Sequence, residues 1–218
     1  MLKTKLTLSC LAFLCVAGVG SASGAVIPLD NYSFESPVIG GYQAGIVDWI
    51  PGGTGQTGTF NNDFNSTTDG ENVQLLITGS VGDYVHIRQE IPTTTTTITG
   101  NTQYTLDFLA GIRAGFSALP GTWNPRLQAF DGSTYTDLTP SSETGSFGTP
   151  GTLSQWSSVF DVAADSPLVG QQLVVRFDMT QTGSTGTQVG LDKVQLVPEP
   201  ATMSLIALGG LLLARKRR

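Results

Sequence analysis

The side chains able to do acid–base or metal chemistry here are few in kind. The 218-residue chain has one histidine, His86, and two cysteines, Cys10 and Cys15. Carboxylates are plentiful by contrast, sixteen of the seventeen lying between Val26 and Val197. Histidine-rich metal sites, cysteine nucleophiles and most catalytic triads therefore lack parts. Two carboxylates could hydrolyse a glycoside, but no pair stands out by spacing. The glycine-rich stretches follow no strand-to-helix pattern, so no phosphate cradle is expected. His86 sits in the alternating run Val85–Arg88 and reads as a polar-face residue of a strand. From composition alone, the expectation is a protein that is not an enzyme.

The two ends say where such residues would be delivered. Lys3 and Lys5 precede an apolar stretch from Leu6 to Val19, followed by Ser21-Ala22-Ser23-Gly24-Ala25. That order is a secretory signal peptide (1–25) with cleavage expected after Ala25, or alternatively after Ala22, which implicates the Sec translocon. Both cysteines lie inside it, so the exported domain must hold itself together without disulfides. At the other end Val197-Pro198-Glu199-Pro200 precedes an uncharged run from Ala201 to Ala214, then Arg215, Lys216, Arg217 and Arg218. The apolar run reaches roughly 21 Å as a helix, short for a span. Snorkelling or local thinning can close the gap, and the four cations fix that end on the cytoplasmic side. The two prolines are expected to isolate this tail from the preceding domain.

Residues 26–196 are the size of one domain with a sizeable core. Five basic residues there face sixteen acidic ones, which argues against nucleic acid and anionic membrane and suits divalent cations. Alternation dominates in four runs: Val73/Leu75/Ile77, Val85/Ile87, Tyr104/Leu106/Phe108/Ala110 and Leu173/Val175/Phe177/Met179. Asp131-Gly132 is a hairpin signal between Arg126–Phe130 and Ser133–Leu138. Eight to ten antiparallel strands in an all-β sandwich follow. The threonine tract Thr93–Thr97 lacks the internal repeat of an ice-binding face and reads as an edge strand or loop.

Two resemblances add to this. The tail, with its VPEP, apolar run and basic cluster, resembles the PEP-CTERM sorting signal. That implies recognition and cutting by an exosortase, transient anchoring, and export to the surface or matrix of a Gram-negative bacterium. The domain is similar to galactose-binding-like jelly rolls, which include carbohydrate-binding modules. The similarity rests on Asn31-Tyr32-Ser33-Phe34-Glu35, on Asp69–Leu75 and on the closing Gly190-Leu191-Asp192-Lys193-Val194-Gln195-Leu196. It implies a structural calcium ion held by Glu35 and Asp192, with Ser33 as a backbone ligand. A parity switch from Val189/Leu191 to Val194/Leu196 predicts a bulge at Asp192-Lys193. It also implies a sugar-binding surface, for which Trp123 in the loop Pro120–Pro125, with Arg126 and Gln128, is the candidate. Trp49 and Trp156 read as core. The expected function is non-catalytic binding of extracellular polysaccharide; a matrix protein without specific ligand, or a glycosidase or lyase, are the alternatives.

Overall fold

The computed structural model describes residues 24–37, 39–61, 64, 70–116 and 121–200. The signal peptide up to Ser23 and the apolar and basic parts of the tail lie outside these residues. Twelve strands are present among those described: β1 (Tyr42–Ala44), β2 (Ile50–Gly53), β3 (Gln56–Asn61), β4 (Asn72–Thr78), β5 (Tyr84–Glu90), β6 (Thr102–Ile112), β7 (Gly121–Phe130), β8 (Tyr135–Leu138), β9 (Pro140–Thr144), β10 (Ser154–Val162), β11 (Gln172–Gln181) and β12 (Thr187–Pro200). They form two antiparallel sheets, a seven-stranded one in the order β1-β3-β4-β12-β6-β10-β9 and a five-stranded one in the order β2-β5-β11-β7-β8. The all-β sandwich expected from alternation is the fold found.

The core lies between the sheets. From β6 come Tyr104, Leu106, Phe108 and Ala110; from β11 come Leu173, Val175, Phe177 and Met179, all buried in one cluster. Phe108 and Phe177 meet edge to face across the gap at 4.9 Å. Burial of each such side chain is worth about 1.5–3 kcal/mol. Trp49 joins this cluster, and its indole N–H donates to the Asp30 carbonyl at 3.2 Å. The Asp131-Gly132 turn is present: Asp131 Oδ1 accepts the Ser133 and Thr134 N–H groups at 2.8 Å, and Gly132 takes φ 99°. That left-handed backbone is what glycine supplies at a tight turn.

Three expectations are corrected. Strand β4 is buried on both faces, one against the facing sheet and the other under Phe64 and its neighbours. Its Leu76 points to the inter-sheet core, whereas Val73 and Leu75 pack with Phe64 in a second cluster. Alternation marked the strand but named the opposite face. Trp123 lies in β7 rather than in a loop. The third correction concerns Val197–Pro200, which do not separate tail from domain but continue β12 alongside β6, Val197 opposite Thr105 and Pro200 opposite Thr102. The prolines are tolerated for a geometric reason. Leu196 turns its carbonyl to the Ile27 N–H, away from β6. Polar groups of one strand residue share a side, so Pro198 and Pro200 place their nitrogens off the β6 ladder as well. The expected bulge is present: the β12–β6 register shifts between Asp192 and Gln195, and Lys193 takes φ 50°.

Candidate active site

The outward face of the five-stranded sheet is where the ionisable groups converge. Period two sends Phe177 and Met179 of β11 into the core and Arg176 and Asp178 outward. Cross-strand register then assembles rows. Arg88 of β5 and Arg126 of β7 both pair with Arg176 of β11. Asp178 pairs with His86 on one side and Asn124 on the other. Three of the domain's five basic residues thus occupy a single row. Like charges directly opposite one another are destabilising, and three acids offset them. Arg88 Nε lies 3.1 Å from Glu90 Oε1, Arg126 Nη1 pairs with Asp137, and Arg176 Nε donates to Asp178 Oδ1 at 2.7 Å. Arg126 Nε also lies 2.5 Å from Asp178 Oδ2, an ion pair without hydrogen-bond alignment.

Asp178 is the floor of this arrangement, its side chain 3% exposed. Tyr84 Oη donates to Asp178 Oδ1 at 2.9 Å and accepts from Arg176 Nη2. Burial and the neighbouring Asp178 carboxylate push the Tyr84 phenol up, so it holds its proton at neutral pH. The second tyrosine, Tyr135, donates to Glu90 and lies under the Arg88 guanidinium at 4.9 Å. Its phenol is pushed up by burial and by Glu90. His86 packs at 5.3 Å from the Tyr84 ring. Burial and the Arg176 charge push its pKa down, so it is neutral here. Gly52 makes room for it: a Cβ there would sit 2.3 Å from the His86 ring. Above these groups lies a trough of ≈ 530 Å³ lined by Tyr84, Arg126, Gln128, Tyr135, Asp137 and Asp178. Arg126 and Asp137 also line a neighbouring hollow of ≈ 280 Å³.

The residues expected from sequence are divided by this geometry. Arg126 and Gln128 reach the trough, where Gln128 Nε2 donates to Asp137 Oδ1 at 2.6 Å. Trp123 faces the other way, stacked on Phe177 at 5.8 Å and packed edge-on against Phe147 at 6.2 Å. Trp156 stacks on Phe108 in the same aromatic group. Tyr84, Asp178 and Arg176 escaped the sequence reading; the signal for them was the polar parity of Tyr84–Glu90 and Leu173–Met179.

The residues expected to hold calcium are arranged as follows. Glu35 offers Oε1 to the Asn72 N–H at 3.0 Å and Oε2 to the Glu71 N–H at 3.3 Å. Asp192 is fully buried, with Oδ1 accepting the Lys193 N–H at 2.7 Å. The Val194 N–H binds the Tyr32 carbonyl at 2.9 Å, which ties the opening turn to the last strand beside Ser33. No group of three or more His, Cys, Asp or Glu suited to a metal exists among the described residues. Two carboxylates with backbone carbonyls would be a donor set of the hard, all-oxygen kind calcium takes, and Glu35 Oε1, Glu35 Oε2 and Asp192 Oδ1 each keep a lone pair beyond the N–H they accept.

Fold and site together define a two-sheet β-sandwich carrying a hydrogen-bonded Tyr–Asp–Arg group, with its aspartate buried, on one sheet. The HpiC1 cyclase (HpiC1-like) family model matches residues 25–197, and the chain belongs to that family. A PEP-CTERM protein-sorting motif matches residues 196–218. The chain is similar in structure to the Stig cyclase FisC from Fischerella sp. TAU, solved with (3Z)-3-(1-methyl-2-pyrrolidinylidene)-3H-indole, at TM-score 0.66 and 22% identity, covering 82% of this chain and 100% of that one. A cyclase from Fischerella sp. TAU with 4-(1H-indol-3-yl)butan-2-one matches at 0.64 and 22%, covering 81% and 98%. An arabinose-bound α-L-arabinofuranosidase matches at 0.57 and 16%, covering 82% of this chain and 27% of that one. A comparison with curated protein sequences gives no match.

Membership of a cyclase family overturns two expectations. The domain is not read as a non-catalytic polysaccharide binder, nor as a protein that is not an enzyme. One histidine and no cysteine in residues 26–196 exclude particular catalytic constellations, not catalysis as such. The sorting signal stands, and it implies exosortase processing, export and membrane-associated sorting in a Gram-negative bacterium.

Proposed function

We propose that this chain is an exported cyclase that closes a ring by moving a proton between Tyr84 and an unsaturated substrate lying in the trough. One observation carries the reading: the Tyr84 phenol is hydrogen-bonded to buried Asp178 while Arg176 donates to the same phenol oxygen. Tyr84 gives its proton to the substrate, which becomes cationic and is attacked by its own π-bond. Asp178 orients the phenol while it is protonated, and charge developing on the phenolate is met by Arg176, which offsets the repulsion from Asp178. The ring product then returns a proton to Tyr84, so the reaction is an isomerisation needing no oxidant or reductant. Each guanidinium carries five N–H donors. Those of Arg126 and Arg176, which line the trough, that are not given to acids or to Tyr84 are available to a substrate nitrogen or oxygen.

The substrate class we propose is a flat nitrogen heterocycle, the class to which the compounds bound in the two Fischerella cyclases belong. The test uses the purified full chain and 4-(1H-indol-3-yl)butan-2-one in heavy water. Protein-dependent deuterium uptake beside the carbonyl is expected, reduced by about 10²-fold or more in Tyr84→Phe, the usual weight of general acid–base catalysis. Uptake unchanged in Tyr84→Phe contradicts the reading. We also propose that Glu35 and Asp192, with backbone oxygens near Ser33, hold one calcium ion. At saturating calcium, chelation is then expected to lower the unfolding temperature by an amount equivalent to about 2–3 kcal/mol. An unchanged unfolding temperature removes the ion from the account. After exosortase action the protein is placed at the cell surface or in the extracellular matrix.

A further inference from the structure

The sorting motif and the cyclase domain share residues: the family match ends at 197 and the sorting match starts at 196. Structurally no spacer separates them. Val197, Pro198 and Glu199 are half-buried residues of β12, and Leu196 before them is fully buried. One edge of this strand end is occupied by β6, from Thr105 back to Thr102. The other edge is approached by the start of the exported domain. Ile27 N–H binds the Leu196 carbonyl at 2.8 Å, and Gly24 lies so close that a Cβ on it would sit 1.6 Å from the Pro198 carbonyl oxygen.

A peptidase binds its substrate as an extended segment whose edges are free to pair with the enzyme. The motif cannot be both the last rung of this sheet and the occupant of such a cleft. We propose that folding masks the sorting motif, and that the exosortase receives it only after Val197–Pro200 has peeled from β6. The sequence makes the peel shallow. On the β6 side only Val197 and Glu199 present their N–H and carbonyl groups to the ladder, so few rungs hold this end, and Pro198 and Pro200 have no N–H with which to tie its other edge. Leu196 with its Ile27 bridge is the stop. The same edge explains an order of events: removal of the signal peptide after Ala25 would take away Gly24, uncovering the Pro198 side before the motif is read.

Two variants of the full chain, expressed with an exosortase and followed by the mass loss of tail removal, test this. Thr105→Cys with Val197→Cys places cysteines on directly paired residues, at Cα separations of about 5.5 Å that a disulfide spans. The native cysteines, Cys10 and Cys15, lie upstream of the domain and do not compete. The oxidised pair is expected to be processed at least about tenfold more slowly, since cleavage follows the open population, with recovery on reduction. A flexible Gly/Ser spacer between Leu196 and Val197 moves the motif off β6, and processing should quicken severalfold. Processing at the unaltered rate in the cross-linked pair, or no gain with the spacer, overturns the proposal. Neither readout depends on cyclase activity.

Discussion

The two faces of the five-stranded sheet use the same strands for opposite purposes. On β11, Phe177 and Met179 are buried in the inter-sheet core, while the alternating Arg176 and Asp178 point outward. On β7, Trp123 and Leu127 face inward and Arg126 and Gln128 outward. The inner face is apolar and closed, with aromatic pairs at 4.9–6.3 Å. The outer face is ionic, and its buried carboxylate is surrounded by donors rather than by carbon. Apolar packing is concentrated on one side and ionisable groups on the other.

The comparison can be broken most forcefully on the inner side. Phe177→Ala removes a ring touching Phe108, Trp49 and Trp123, and should cost about 3–5 kcal/mol in denaturant unfolding. A loss below about 1 kcal/mol would mean the core is not organised around it. On the outer side, Asp178→Asn leaves Arg176 and Arg126 without their shared anion. A cost near about 3 kcal/mol is expected, the lower end for a buried pair because both guanidiniums keep some solvent. Gly52→Ala pushes on His86 and should cost about 1–3 kcal/mol while leaving the Phe108–Phe177 contact in place. Tyr84→Phe should cost only about 1 kcal/mol, one hydrogen bond's worth, yet slow proton exchange by about 10²-fold or more.

The smallest effect is titration. Tyr84 and Tyr135 hold their protons above the ordinary tyrosine value, so between that value and their own the folded state binds more protons than the unfolded. Stability is therefore present below about pH 10 and declines as pH rises through the folded values. Phenolate absorbance should show Tyr84 and Tyr135 ionising late, and Tyr84→Phe should remove one late-ionising group. An unchanged number of such groups in that variant would contradict the hydrogen-bond assignment.

The sandwich was legible because a sheet with one wet face writes itself as alternation, clearest in Tyr104–Ala110 and Leu173–Met179. It failed as a guide to facing on β4, where both sides are covered and parity no longer separates core from solvent. Arg126 and Gln128 were picked out for a sugar and Trp123 with them. The first two reach the trough and the third does not, since neighbouring strand residues point to opposite faces once Trp123 is placed in β7. Tyr84, Arg176 and Asp178 were invisible as a group because they come together only through register across three strands, up to 94 residues apart. The PEP motif showed its identity in sequence, but not that it is a rung of the sheet.

The most direct test is to map where a small heterocycle binds. Full-length protein titrated with 4-(1H-indol-3-yl)butan-2-one and followed by amide chemical shifts should move Tyr84, Arg126, Asp137, Arg176 and Asp178 most. Shifts centred instead on Trp123, Phe147 and Trp156 would place the ligand within the aromatic inner face and contradict the assignment of chemistry to the outer one.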